Sequence, residues 1–212
     1  MAKIANTRFE VYISNSKRND LQNITGKFGS FSGNDFTPDV CSAGFLCTQK
    51  GRLPLEGYAD AGLVNGNSFY MIASANGIVA GYQGDHTGIY ACNTYDVNRL
   101  SDGELTVNIP GKTLGLAAPA DERVDFTEIL VGESYNFGAG NFSTLPTDLT
   151  ATPYATIANG LLVAAAAAPT DGGIYFEISD ISKRFTEGAY DGGQKITVKC
   201  FRSEKATTQV GG

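Results

Sequence analysis

The sequence predicts an all-β protein, a sandwich or barrel of short antiparallel strands with an internal duplication. Three observations carry this. Apolar and polar residues alternate with period two over Thr7–Ser14. Short apolar runs are broken at close intervals by Gly, Asn, Asp and Pro, with 26 Gly and 7 Pro among 212 residues. One long pattern also occurs twice.

The elements follow in chain order. Thr7-Arg-Phe-Glu-Val-Tyr-Ile-Ser14 places Phe9, Val11 and Ile13 on one face and Arg8, Glu10 and Tyr12 on the other, a half-buried strand. Asn15–Asp20 is polar turn material, and Asn23–Gly33 is extended, glycine-broken chain. Strands are expected at Phe45–Thr48, Ser68–Ser74, Gly77–Gly81, Gly88–Cys92, Leu105–Ile109, Glu128–Val131, Gly173–Ile178 and Lys195–Phe201. Leu161–Ala168 suits either a strand or a short helix, because Leu-Leu-Val is strand-like and the alanine run favours helix.

The repeat runs from Tyr70 through Asn76-Gly77, Asp85, Gly88-Ile-Tyr90, Arg99 and Asp102-Gly103 to Leu105-Thr-Val107. It returns as Tyr154, Asn159-Gly160, Asp171, Gly173-Ile-Tyr175, Arg184, Asp191-Gly192 and Ile196-Thr-Val198. Gly-Ile-Tyr stands at the same distance from Arg in both copies, and the two Asn-Gly pairs are the strongest hairpin signals in the chain. The organisation expected is an N-terminal arm with strands at 1–40, a first β-module at 41–112, a connector at 113–124, a second module at 125–203 and a flexible tail at 204–212. Within the second module, residues 132–153 form a long aromatic loop.

Composition narrows the function classes. Sixteen basic against 22 acidic side chains give a net charge of −6, net +1 over residues 1–40 and net −5 over 121–212. That balance argues against a nucleic-acid surface. The longest apolar run, Leu161–Ala168, is far short of the ~18 residues of a membrane-spanning helix. The start, Met1-Ala-Lys-Ile-Ala-Asn6, has no signal-peptide core, which points to retention in a cytoplasm. Cys41, Cys47, Cys92 and Cys200 lack the paired close spacing of a zinc site and are expected as buried thiols.

No catalytic motif holds. Gly111-Lys-Thr113 lacks the P-loop glycine five positions before its Gly-Lys pair, where Thr106 stands. Gly88-Ile-Tyr90 matches a nuclease signature, but its recurrence marks it as a strand element. Asp85-His86 could be half of a dyad; His86 is the sole histidine, with only a serine or Cys92 as nucleophile, and its position reads as a turn. The acidic run Asp121-Glu-Arg-Val-Asp-Phe-Thr-Glu128 offers carboxylate pairs of the kind glycosidases use. Asp96, Asp102, Asp180 and Asp191 could ligate Ca²⁺ but read as turn formers. The expectation is a non-enzymatic protein with no cofactor and no metal.

A β-rich, acidic, duplicated chain rich in Gly, Ala, Thr and Asn, with the stretch Arg184-Phe-Thr-Glu-Gly-Ala-Tyr-Asp-Gly-Gly-Gln-Lys-Ile-Thr-Val-Lys-Cys200, resembles the virion structural proteins of tailed bacteriophages, in particular the small capsid decoration proteins. The resemblance carries over no functional residue. It implies a multi-copy or homo-oligomeric protein in the virion, assembled in the host cytoplasm. Its partner would be the major capsid protein or another virion subunit, with no nucleic acid and no membrane. Tyr135, Phe137 and Phe142 of the long loop are the candidate interface anchors, since aromatic side chains carry interface energy; packing within the loop is the other reading of them. A glycan- or receptor-binding β-module of a tail or fibre is the alternative function.

Overall fold

The computed structural model describes residues 9–12, 23–54, 64–93, 117–183 and 194–204. The described chain is all β, with a single 3-10 turn at Ala139–Asn141. The strands are β1 (Phe9–Tyr12), β2 (Asn23–Ser32), β3 (Asp35–Pro38), β4 (Cys41–Ser42), β5 (Leu46–Pro54), β6 (Val64–Ala73), β7 (His86–Cys92) and β8 (Ala117–Ala118). They continue as β9 (Val124–Leu130), β10 (Ser134–Gly138), β11 (Phe142–Thr144), β12 (Tyr154–Ala158), β13 (Leu161–Ala165), β14 (Ile174–Lys183) and β15 (Gln194–Arg202).

Five strands close into a barrel in the order β2-β6-β5-β7-β9, with β9 pairing back to β2 at Asn23↔Thr127 to Gly26↔Val124. Only β2–β6 is parallel in that ring. The far half of β2 leaves the barrel and folds back as a hairpin with β3 across Gly33-Asn34. Seven further strands form a curled sheet, β1-β10-β15-β14-β12-β13-β11, and β4 pairs with β8 in a separate two-stranded piece.

Period-two alternation sorts side chains between two cores. On β7, Tyr90 and Cys92 point into the barrel while Ile89 and Ala91 point out of it. The barrel interior holds Ile24, Phe28, Cys41, Phe45, Cys47, Met71, Tyr90, Cys92 and Phe126. The outer wall at Leu46, Ile89, Ala91 and Ile129 is buried under the inner face of the sheet, which supplies Tyr135, Phe137, Phe176, Ile196, Val198 and others. Burying each large side chain contributes about 1.5–3 kcal/mol.

Several expectations shift. Gly77–Gly81 is not a strand: Asn76 Oδ1 accepts from the Ile78 N–H and Gly77 lies against the backbone of Ile174, so this turn docks onto the sheet rather than closing a hairpin. Its repeat partner Asn159-Gly160 is a two-residue hairpin turn joining β12 to β13, with both φ values positive, at 49° and 80°. The two copies of the repeat thus build different local structures. Leu161–Ala165 is strand. The stretch 132–153 is no open loop; it contains β10, the 3-10 turn and β11. The break between barrel and sheet falls after Leu130, because β9 closes the barrel, and β1 joins the sheet while β2 and β3 join the barrel. The expected strand at Leu105–Ile109, the second turns of both repeats and the C-terminal tail from 205 lie outside the described residues.

Candidate functional site

The three expected anchors are core residues. Tyr135 and Phe137 sit on β10 and Phe142 on β11, at 0%, 1% and 7% exposure. Tyr135 and Phe137 alternate with Asn136, so both rings point to the inner face, where Phe9 stacks on Tyr135 at 5.7 Å. The Tyr135 hydroxyl accepts the Leu130 N–H at 2.7 Å. Asn141 secures the turn beyond: its Oδ1 accepts from the Gly138 N–H and its Nδ2 donates to the Ala43 carbonyl. Buried rings cannot meet a partner, which corrects the expected interface.

The strongest polar constellation is Glu128 with His86. Glu128 points into the barrel opposite Tyr90, and its side chain is 2% exposed while that of His86 is 50% exposed. Glu128 Oε1 accepts the N–H groups of Thr87 and Gly88 at 3.2 and 3.1 Å, and Oε2 meets His86 Nδ1 at 3.0 Å. The register explains this. Three residues of β7 lie between the pairs His86↔Leu130 and Tyr90↔Glu128, against one on β9. The bulge frees two N–H groups from the ladder, and the carboxylate satisfies them. Gly88 permits the bulge with φ +68°, and a Cβ there would strike the Tyr82 ring. The Tyr90 phenol is pushed well up by burial and by the Glu128 charge. A carboxylate-bound imidazole with its second nitrogen toward solvent is the geometry of an acid–base dyad, but here the carboxylate also completes the backbone, which accounts for its burial. Among the described residues, no group of three or more His, Cys, Asp or Glu is placed to hold a metal ion. Asp180 is exposed at the bulge in β14; Asp96, Asp102 and Asp191 lie outside the described residues.

The surface feature absent from the sequence reading is on the outer face of the seven-stranded sheet. Tyr154, Tyr175 and Phe201, from β12, β14 and β15, form a half-exposed row with ring centroids 5.9 and 5.7 Å apart. Glu177 and Lys199 face each other across β14–β15 in the same face, both exposed, and Lys199 Nζ lies 5.5 Å from the Phe201 ring centre. Partial burial, with Tyr154 and Glu177 nearby, raises the Tyr175 pKa. Alternation puts these rings outward because Ile174, Phe176, Ile178, Val198 and Cys200 occupy the inward positions. That same alternation is legible in the sequence: an aromatic at the polar phase of a strand is the signal.

A second cluster, Phe31, Phe36 and Tyr70, with centroids 4.6–5.4 Å apart, is structural. It pins the β2–β3 hairpin to β6, and Phe36 fits because Gly29 has no side chain.

No family model, no curated protein and no solved structure matches this chain.

Proposed function

We propose that the protein is a non-enzymatic structural component of a tailed-phage virion, a decoration protein that attaches in many copies to the major capsid protein through the outer face of its seven-stranded sheet. The observation that carries the reading is the row Tyr154–Tyr175–Phe201 with its Glu177–Lys199 pair. The inner face of this sheet already supplies the packing, so half-exposed rings on the opposite face are available for a partner. Aromatic anchors inside a polar rim are the composition of an interface core. Repetition over a lattice makes weak individual contacts sufficient through avidity. The virion assignment itself rests on the resemblance of the sequence.

The test is sedimentation with emptied capsids from the same source. Wild-type protein is expected to co-sediment saturably at a fixed ratio to the shell subunit. The Tyr175→Ser, Phe201→Ser double variant is expected to lose at least tenfold in affinity with an unchanged circular dichroism spectrum. Absence of wild-type binding overturns the reading.

The same row favours a second reading, a glycan-binding module, since flat rings flanked by hydrogen-bonding side chains can stack against sugar rings. Host-envelope polysaccharide that binds wild type but not the double variant, with no capsid binding, would select it.

A further inference from the structure

Three of the four cysteines of the chain meet inside the barrel. Cys41 comes from β4, Cys47 from β5 and Cys92 from the end of β7, and their exposures are 1%, 0% and 0%. They share one apolar cluster with Phe28, Phe45, Met71 and Phe126. The backbone brings them together. The turn from Ser42 to Phe45 closes on itself through the Phe45 N–H to the Ser42 carbonyl, and it grips Cys92 at both ends: Gly44 donates to the Cys92 carbonyl at 2.8 Å, and Cys92 donates to that of Phe45 at 2.9 Å. Cys92 Sγ lies 4.0 Å from the Cys41 carbonyl oxygen. Cys41 neighbours both of the others: it shares the buried cluster with them, and burial, with Cys47 next, pushes its thiol pKa up. None of the four cysteines is paired in a disulfide in the structure. Cys200 sits apart, in the core between barrel and sheet.

We propose that this triad is an internal redox modification site, in which Cys41 forms a disulfide with Cys92 or Cys47 and ties β4 to the barrel wall. Simple packing needs small apolar side chains at these positions, not three that converge. The inference is independent of the proposed function.

Cys41 is placed to react first. It lies on the two-residue strand β4, whose one strand partner among the described residues is the equally short β8. Cys47 and Cys92 lie in longer barrel strands. Local opening is easiest where few backbone hydrogen bonds hold an element, so loss of the β4–β8 pairing exposes Cys41 before the others. The oxidant is a low-molecular-weight disulfide such as oxidised glutathione. The Cys41 thiol gives up its proton and attacks the reagent, breaking its S–S bond, forming a mixed disulfide and releasing one thiolate, which takes up the proton. The second thiol of the triad then loses its proton, attacks the Cys41 sulfur and expels the other half of the reagent. Two protein thiols are oxidised by two electrons, and the reagent is reduced to two thiols.

The experiment is incubation of the native full chain with excess oxidised glutathione at pH 8. Remaining thiols are then alkylated in denaturant, and peptides are mapped by mass spectrometry without reduction. The expected product has one intramolecular disulfide containing Cys41, with Cys200 alkylated. Its Tm is expected to rise by at least about 5 °C and to return on reduction. Cys41→Ala is expected to abolish the disulfide, whereas Cys200→Ala leaves it unchanged. Four alkylated cysteines after incubation would overturn the proposal, as would a disulfide without Cys41, one containing Cys200, or a Tm lowered by oxidation. Because the map is read on wild-type protein, a variant that fails to fold does not obscure the result.

Discussion

At the residue scale, burial decides what each side chain can do. Glu128 is acidic, in a net-acidic stretch, and yet it is an internal structural part. Replacing it with Ala strands two buried N–H groups and the imidazole of His86. Expected destabilisation is about 2–4 kcal/mol, since each unsatisfied buried group costs about 1–3 kcal/mol, and urea unfolding measures it. The thiols show a second consequence. Burial pushes the pKa values of Cys41, Cys47 and Cys200 up. In the unfolded chain they ionise near ~8.5. Below that pH both states carry the protons and the full stability is present. Above it the unfolded state loses protons that the folded state keeps, so stability falls as pH rises, by up to about 1.4 kcal/mol per thiol per pH unit. Thermal melts are expected to hold steady between pH 7 and 8 and to drop above pH 9. Cys200→Ala is expected to reduce that slope.

At the element scale, turns that look alike in sequence are told apart by their surroundings. Gly33 and Gly160 both have positive φ, 62° and 80°. A Cβ on Gly33 meets nothing within 4 Å, whereas on Gly160 it comes within 2.3 Å of the Phe45 ring. Gly33→Ala is therefore expected to cost about 1 kcal/mol from backbone conformation alone. Gly160→Ala is expected to cost about 2–4 kcal/mol, because overpacking adds to the backbone strain. Chemical denaturation of the two variants side by side gives the difference. The contrast has a tertiary origin: the Gly160 carbonyl accepts from the Leu46 N–H, and its own N–H donates to Ser74, which ties the β12–β13 hairpin to the barrel. The Asn76-Gly77 turn has the same residues and a different fate, since its Gly77 pairs with Ile174 across the interface.

At the scale of the whole molecule, barrel and sheet share one core. Leu46, Ile89, Ala91 and Ile129 on the barrel wall are buried by the sheet's inner face. Unfolding is expected to be a single transition, with Leu46→Ala and Phe176→Ala each lowering the one midpoint by about 2–5 kcal/mol in stability. Coincident transitions by fluorescence and far-ultraviolet circular dichroism check this. Two separate midpoints would mean that the layers hold independently.

The all-β class and most strands were legible in the sequence, because a strand that buries one face writes its period of two into the chain. The alternation at Phe9 and the short apolar runs at Gly88–Cys92, Gly173–Ile178 and Lys195–Phe201 all became strands. The Asn159-Gly160 hairpin was legible only as a turn: the same Asn-Gly pair at 76–77 docks onto Ile174 instead, so the surroundings decide which pair closes a hairpin. What tertiary structure alone decided was which face meets which core. Tyr135 and Phe137 looked like loop aromatics and are interior, because β10 lies between β1 and β15 with its odd-numbered positions inward. Tyr154, Tyr175 and Phe201 stand at the outward phase that alternation marks, but the strand order of the sheet is what brings them together into one half-exposed row. Local periodicity shows that a strand has two different faces. Only the closure of β9 onto β2, and the curling of the second sheet over that barrel, decides what lies on the other side of each.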